Sequence, residues 1–191
     1  MGKAMETHPD QQLAEYPAEE RAQLLAHARR SIEAVLNDTP FSAPAPNPHL
    51  FESRGAFTSL HLGASLRGCI GIIEPIHPLW QTVSETARAA AFEDPRFPPL
   101  TKDEFPKIQL EISVMSLLRP IAAEEVVVGR HGLVVSLGGR RGLLLPQVAP
   151  EWGWDREMFL SQTCIKAGLP PDAWKHGARL EAFTAEVFGE D

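Results

Sequence analysis

The residues of this chain best placed to do chemistry together lie in the stretch Leu66-Arg67-Gly68-Cys69-Ile70-Gly71. Cys69 is one of two cysteines, the other being Cys164. A thiolate, not a thiol, is the nucleophile, and a neighbouring cation favours the thiolate. Arg67 could supply that cation, or its planar fork could hold a carboxylate or phosphate in two parallel hydrogen bonds. His61 could act as a base toward the cysteine. Gly68 and Gly71 carry no side chain, so a ligand or another backbone can come close there. A plainer account stands beside this one. Free cysteine is among the most buried residue types, the glycines could serve packing, and Arg67 could form an internal ion pair with Glu111 or Asp94.

The element that must position these groups is a hairpin. From Ala56 to Ile72 apolar and polar residues alternate on both sides of Gly63-Ala64-Ser65. With that triplet as the loop, Leu62 faces Leu66, His61 faces Arg67, Ser59 faces Cys69 and Phe57 faces Gly71. Leu60, Leu62, Leu66, Ile70 and Ile72 then share one face. Phe57, Ser59, His61, Arg67, Cys69 and Gly71 share the other. A slip of one residue would mix the two sets.

Around the hairpin the spacing predicts a helix near Pro17 to Asn37, with Leu24, Leu25, Ala28, Ile32, Val35 and Leu36 on one stripe. The prolines of Phe41 to Pro48 predict an extended surface segment. A second helix is expected from about Pro78 to Phe92. The loop from Asp94 to Pro99 follows, its prolines excluding helix. Asp94 and Arg96 flank one of them, either as a turn-locking pair or at the edge of a site. Thr101 and Glu104 have capping-box spacing. Leu110 to Ser116 reads as a half-buried strand, in which Glu111 faces solvent or the same polar surface as Cys69. Strands are expected at Leu133 to Leu137 and Gly142 to Leu145, flanking a turn at Gly138 to Arg141. Asp155 caps a helix to Ala167 that Gly168 ends, and Arg179 to Phe188 reads as one closing strand. Strands and helices come in blocks, which predicts an α+β fold with a mainly antiparallel sheet and flanking helices. Residues 1–13 read as a disordered tail and 14–191 as a single domain.

Composition narrows the function. The chain has 191 residues, 43% hydrophobic and 23% charged, with a net charge of −7. That balance makes duplex nucleic acid an unsuitable main partner, since such binding leans on a basic surface. No apolar run approaches the roughly 18 to 20 residues of a membrane span, and the polar N-terminus lacks a signal peptide's apolar stretch. A cytoplasmic location is therefore expected. There is no CxxC pair, and His61, His77 and His131 form no ligand pair at helical spacing, so no metal centre is expected and no cofactor is specified. The run Gly138 to Gly142 lacks the lysine and hydroxyl residue of a phosphate-binding loop. Cys164 lies on an apolar helical stripe, and Trp152, Trp154 and Trp174 read as anchors of the C-terminal part.

Five stretches together carry a resemblance. They are Leu66 to Gly71, Ala89 to Leu100, Leu110 to Val114, Gly138 to Val148 and Ala167 to Trp174. In this order and spacing the chain resembles the AMMECR domain family from about Ala14 to Phe188. The resemblance implies an α+β domain of two unequal lobes, with a cleft between them lined by the Leu-Arg-Gly-Cys-Ile-Gly motif. It carries no assigned reaction. Prokaryotic relatives are often encoded beside a Memo-like protein and a radical-SAM protein. This implies an enzyme, or a small-molecule-binding subunit, that works with such a partner on a small anionic ligand. The alternative is a non-catalytic regulatory or interaction module in which the motif is structural. In the first case Cys69 and His61 are the catalytic candidates. Arg67, Gly68, Gly71, Asp94, Arg96 and Glu111 are then the ligand-binding ones.

Overall fold

The computed structural model describes residues 14–190. The tail expected at 1–13 lies outside them. In chain order the elements are α1 (Ala18–Leu36), β1 (Ala56–Leu62), β2 (Ser65–Ile72), α2 (Leu79–Phe92), β3 (Ile108–Met115), β4 (Arg119–Pro120), β5 (Gly132–Leu137), β6 (Arg140–Leu144), α3 (Val148–Glu151), α4 (Arg156–Lys166), β7 (Arg179–Phe183) and β8 (Ala185–Gly189). The strands form two antiparallel sheets, ordered β2-β1-β3-β8 and β4-β7-β5-β6. The fold is α+β.

Helices α1 and α2 cover one face of the first sheet. Leu24, Ala28 and Ile32 of α1 and Leu79, Val83 and Ala87 of α2 are fully buried against Leu60 and Ile112 of the strands. Each of the leucine, isoleucine and valine side chains among them stabilises the fold by about 1.5–3 kcal/mol. The helix can lie close to β2 because Gly68 faces it, where a Cβ would stand 2.1 Å from the Ala90 carbonyl oxygen. In the second sheet Leu133 and Ala182 pack under Phe159 and Leu160 of α4. Helix α4 starts as the sequence predicts, with the Asp155 carboxylate accepting the Met158 N–H at 2.8 Å. It stops at Gly168, whose φ is +71°. The proline segment is held where the Trp80 indole N–H donates to the Ala43 carbonyl at 2.7 Å and where the Asn47 amide donates to Glu20 at 3.0 Å.

Three local expectations are corrected. The closing strand is two strands, since β7 pairs with β5 in the second sheet while β8 pairs with β3 in the first. The chain changes sheets at Thr184, whose N–H donates to Ser116 Oγ at 2.9 Å while its carbonyl accepts the Ser116 N–H. An unbroken apolar pattern conceals such a crossing, because both halves keep a buried face. The second hairpin turns on Gly138 and Gly139 alone, both at positive φ, which leaves Arg140 and Arg141 inside β6.

The third correction bears on the site. The first hairpin turns on Gly63 and Ala64, with Gly63 at φ +58°. Leu62 therefore pairs with Ser65 and His61 with Leu66, and the register then shifts so that Leu60 pairs with Gly68. Arg67 is the extra residue of a β-bulge. The turn is one residue shorter than expected and the bulge adds one, so the two differences cancel. From Leu60 onward the predicted pairs Ser59–Cys69 and Phe57–Gly71 are found. The expected pairs Leu62–Leu66 and His61–Arg67 are not. Bulges re-aim side chains, and this one turns Arg67 away from the face that carries Cys69. Among the described residues no helix is long and apolar enough to cross a membrane.

Candidate functional site

The face of the first sheet that α1 and α2 leave uncovered forms one wall of a cavity of about 660 Å³. Antiparallel register builds that wall. Ser59 pairs with Cys69 on one side and with Glu111 on the other, so thiol, hydroxyl and carboxylate stand in one row across three strands. The next row brings Phe57, Ser113 and Val187 onto the same wall. Gly129, Arg130, Leu145, Pro146 and Gln147 close the cavity from segments flanking the second sheet. The size suits a small organic molecule.

Cys69 is half-buried and lines the cavity. The Ser59 hydroxyl donates to its sulfur at 3.2 Å. Cys164 is fully buried, and burial pushes its thiol pKa up. The two cysteines thus differ in access.

β2 is an edge strand, and the loop after α2 occupies its free side. The Cys69 N–H donates to the Asp94 carboxylate at 2.9 Å, and Arg96 donates to the Cys69 carbonyl at 3.2 Å. Arg96 also donates to Asp94 at 2.7 and 2.9 Å. The loop therefore takes the place of a neighbouring strand and blunts an edge that could otherwise pair with another chain. Its charges fit that role. The Arg96 guanidinium first, and then the N–H groups of Cys69 and Arg96, hold the Asp94 carboxyl well below the usual carboxylate range, against the cost of burial.

Arg67 joins this loop, not the cavity. It is 7% exposed. Its Nε and Nη2 donate to the two oxygens of Glu104 at 2.9 and 3.1 Å, and Nη2 also donates to the Pro98 carbonyl at 3.0 Å. The partner is Glu104, where the sequence suggests Glu111 or Asp94. Glu104 also accepts the N–H and hydroxyl of Thr101, as its capping-box spacing predicts. The Arg67 fork and then the Thr101 N–H hold the Glu104 carboxyl down at about 2.

The remaining candidates separate in the same way. Glu111 lines the cavity. His61 lies one row beyond Ser59 on the same sheet face, paired with Leu66 and Gln109. Its Nε2 is buried without a hydrogen-bond partner among the described residues. Gly68 faces α2, whereas Gly71 leaves room for the Phe57 ring, which a Cβ would meet at 2.1 Å. Ser113, Gln147 and Thr184 are cavity residues that sequence reasoning did not single out. Ser113 was legible as the residue after next from Glu111 on one strand face. The other two come from loops, which carry no periodic signal. Among the described residues the one cluster with metal-ligand spacing is Glu15, His49 and Glu52. Arg54 pairs with both of those carboxylates and Glu20 with His49, so its charges already have partners.

Fold and site together define an α+β domain with two antiparallel sheets and a cavity on the helix-free face of the first. The match to the AMMECR1 family spans residues 25–188, and the chain belongs to that family. It is 42% identical over 182 residues to a protein of Thermococcus gammatolerans, covering 88% of this chain and 89% of that one. It is 44% identical over 178 residues to a protein of Methanothermobacter thermautotrophicus, covering 88% and 93%. The crystal structure of an uncharacterised protein from Pyrococcus horikoshii superposes with a TM-score of 0.72 at 42% identity, covering 88% of this chain and 90% of that one.

Proposed function

We propose that this protein binds a small organic molecule in the cavity on the helix-free sheet face, with the Cys69 thiol and the Glu111 carboxylate at the point of contact. The observation that carries the reading is the row Cys69–Ser59–Glu111, which lines a cavity of about 660 Å³. Ser59 orients the sulfur through its hydrogen bond. Glu111 would accept a donor or a proton from the ligand, and Phe57 and Val187 would cover its apolar part. We read the cavity as the cleft between two unequal lobes. Arg67, Gly68, Asp94 and Arg96 support it from outside by fixing β2 and its loop, and His61 lies beside it. The family resemblance adds a Memo-like or radical-SAM partner to the same reading.

The test is intact-mass measurement after limiting iodoacetamide. The folded protein is expected to take up one equivalent, absent in Cys69→Ser and blocked by filling the cavity with Ser113→Trp. Uptake only on unfolding would remove Cys69 from any reaction. The second reading, a non-catalytic interaction module, is favoured by one observation. Trp152 is 71% exposed beside Trp154 in a groove between α3 and α4.

A further inference from the structure

The segment that closes the cavity at Gly129 and Arg130 continues into His131, which is 4% exposed. The closer of its two ring contacts assigns its tautomer. The turn from Val127 to His131 is closed by the His131 N–H donating to the Val127 carbonyl at 3.0 Å and by the Val127 N–H pointing at the ring Nδ1 at 3.1 Å. A backbone N–H can only donate, so Nδ1 is the acceptor and the single proton of the neutral ring sits on Nε2. Burial first, and then the fields of Arg119 and Arg130, lower the His131 pKa and keep the ring neutral, with Glu125 opposing them.

The Arg119 guanidinium, on β4, points its Nη2 at this same Nε2 at 3.4 Å. Arginine has no acceptor atom, and an Nε2 that carries the proton has none to offer. The separation also exceeds the usual range for an N–H hydrogen bond. The contact is therefore two donors facing each other. Among the described residues Arg119 forms no ion pair with a carboxylate. Glu125, the acid among the described residues whose field reaches the histidine, has an oxygen engaged by the Ala122 N–H at 2.9 Å.

We propose that Arg119 and the His131 Nε2–H form an oxyanion-binding site, in which one carboxylate or phosphate oxygen accepts from both. Such an anion satisfies two donors that the fold leaves converging, and the positive charge of Arg119 favours it. The site stands independently of any reaction at Cys69.

The experiment is titration of the full-length protein with inorganic phosphate and, separately, with acetate. Ionic strength is held constant with sodium chloride, so that screening is the same throughout. Binding is followed through the His131 ring nitrogens by long-range ¹H–¹⁵N NMR. The expected result is an Nε2–H tautomer whose resonance moves saturably with one or both anions. Arg119→Gln should weaken that response at least about tenfold, the worth of one charge-assisted hydrogen bond, and Arg119→Lys should recover part of it. Arg119 is exposed, so both variants should keep the wild-type amide spectrum. A response to phosphate alone or to acetate alone identifies the source of the oxyanion. An Nδ1–H tautomer, no response to either anion, or equal responses in wild type and Arg119→Gln overturns the proposal. Cys69 alkylation is expected to be unchanged in Arg119→Gln, so this result and the cavity reading are judged separately.

Discussion

Replacing Glu104 by glutamine should destabilise this protein more than replacing Arg67 by methionine, although both changes break the same ion pair. The Arg67 side chain is 9% exposed, whereas the Glu104 side chain is 28% exposed. Glu104→Gln leaves a buried guanidinium with the Pro98 carbonyl and one neutral amide, at a cost of about 3 kcal/mol. Arg67→Met removes the buried charge itself and keeps an apolar stem in place, and Glu104 can turn to water. Its cost should be about 1–2 kcal/mol. The pH dependence supplies a second check. The Glu104 carboxyl falls from 4.5 to about 2 on folding. A carboxyl lowered by folding stabilises the protein fully above its unfolded pKa, and that stabilisation is lost as pH falls through the folded one. The fall corresponds to about 3 kcal/mol, nearer 2 for a side chain that keeps some contact with water. Urea denaturation followed by circular dichroism should therefore show the gap between wild type and Arg67→Met closing from pH 5 toward pH 2.5. A larger cost for Arg67→Met, or a gap that stays constant over that range, would refute the argument that burial of the cation controls this pair.

Two further outcomes follow from the same contacts. His27 is stacked on Trp80 with ring centroids 3.7 Å apart, and burial first, with the fields of Arg30 and Arg88, lowers its pKa from 6.5 to about 4. The unfolded chain takes up this proton before the folded one does, so stability should fall between those values. At pH 5 the loss should be about 2 kcal/mol relative to pH 7.5. His27→Gln should flatten that part of the profile, and a slope unchanged in the variant would assign it to other groups. Gly68→Ala should cost about 3 kcal/mol or more, because its Cβ would meet a backbone carbonyl at 2.1 Å. Gly71→Ala should cost less, since the Phe57 ring can swing aside. Equal melting temperatures for the two alanine variants would show that α2 shifts freely over β2.

Much of the fold was legible because it rests on short-range periodicity. The stripes of α1 and α2, the Asp155 cap with its Gly168 stop, and the alternation of Glu111 and Ser113 against Ile112 and Val114 all depend on residues at most a few positions apart. Pairs such as Ser59–Cys69 were legible for the same reason, since a hairpin makes neighbours in space from neighbours in sequence. The split of the last strand was not. Its two halves look alike to a pattern that records only burial, and Thr184 changes sheets through a hydrogen bond to Ser116, far away in the chain.

The candidate site divides along the same line. The residue types in Leu66 to Gly71, and the placing of Cys69 and Ser59 on one face of a hairpin, follow from the sequence alone, because strand alternation assigns each side chain to a face. Glu111 joined that face only through the pairing of β3 with β1. Tertiary structure alone decided what each group faces. One bulged residue sent Arg67 to Glu104 and out of the cavity. The loop at Asp94 and Arg96 took the free edge of β2, and the opposite wall came from Gly129, Arg130 and Gln147. A bulge is a compromise between turn length and strand register. Loop placement depends on packing across the whole domain, and no local spacing encodes either.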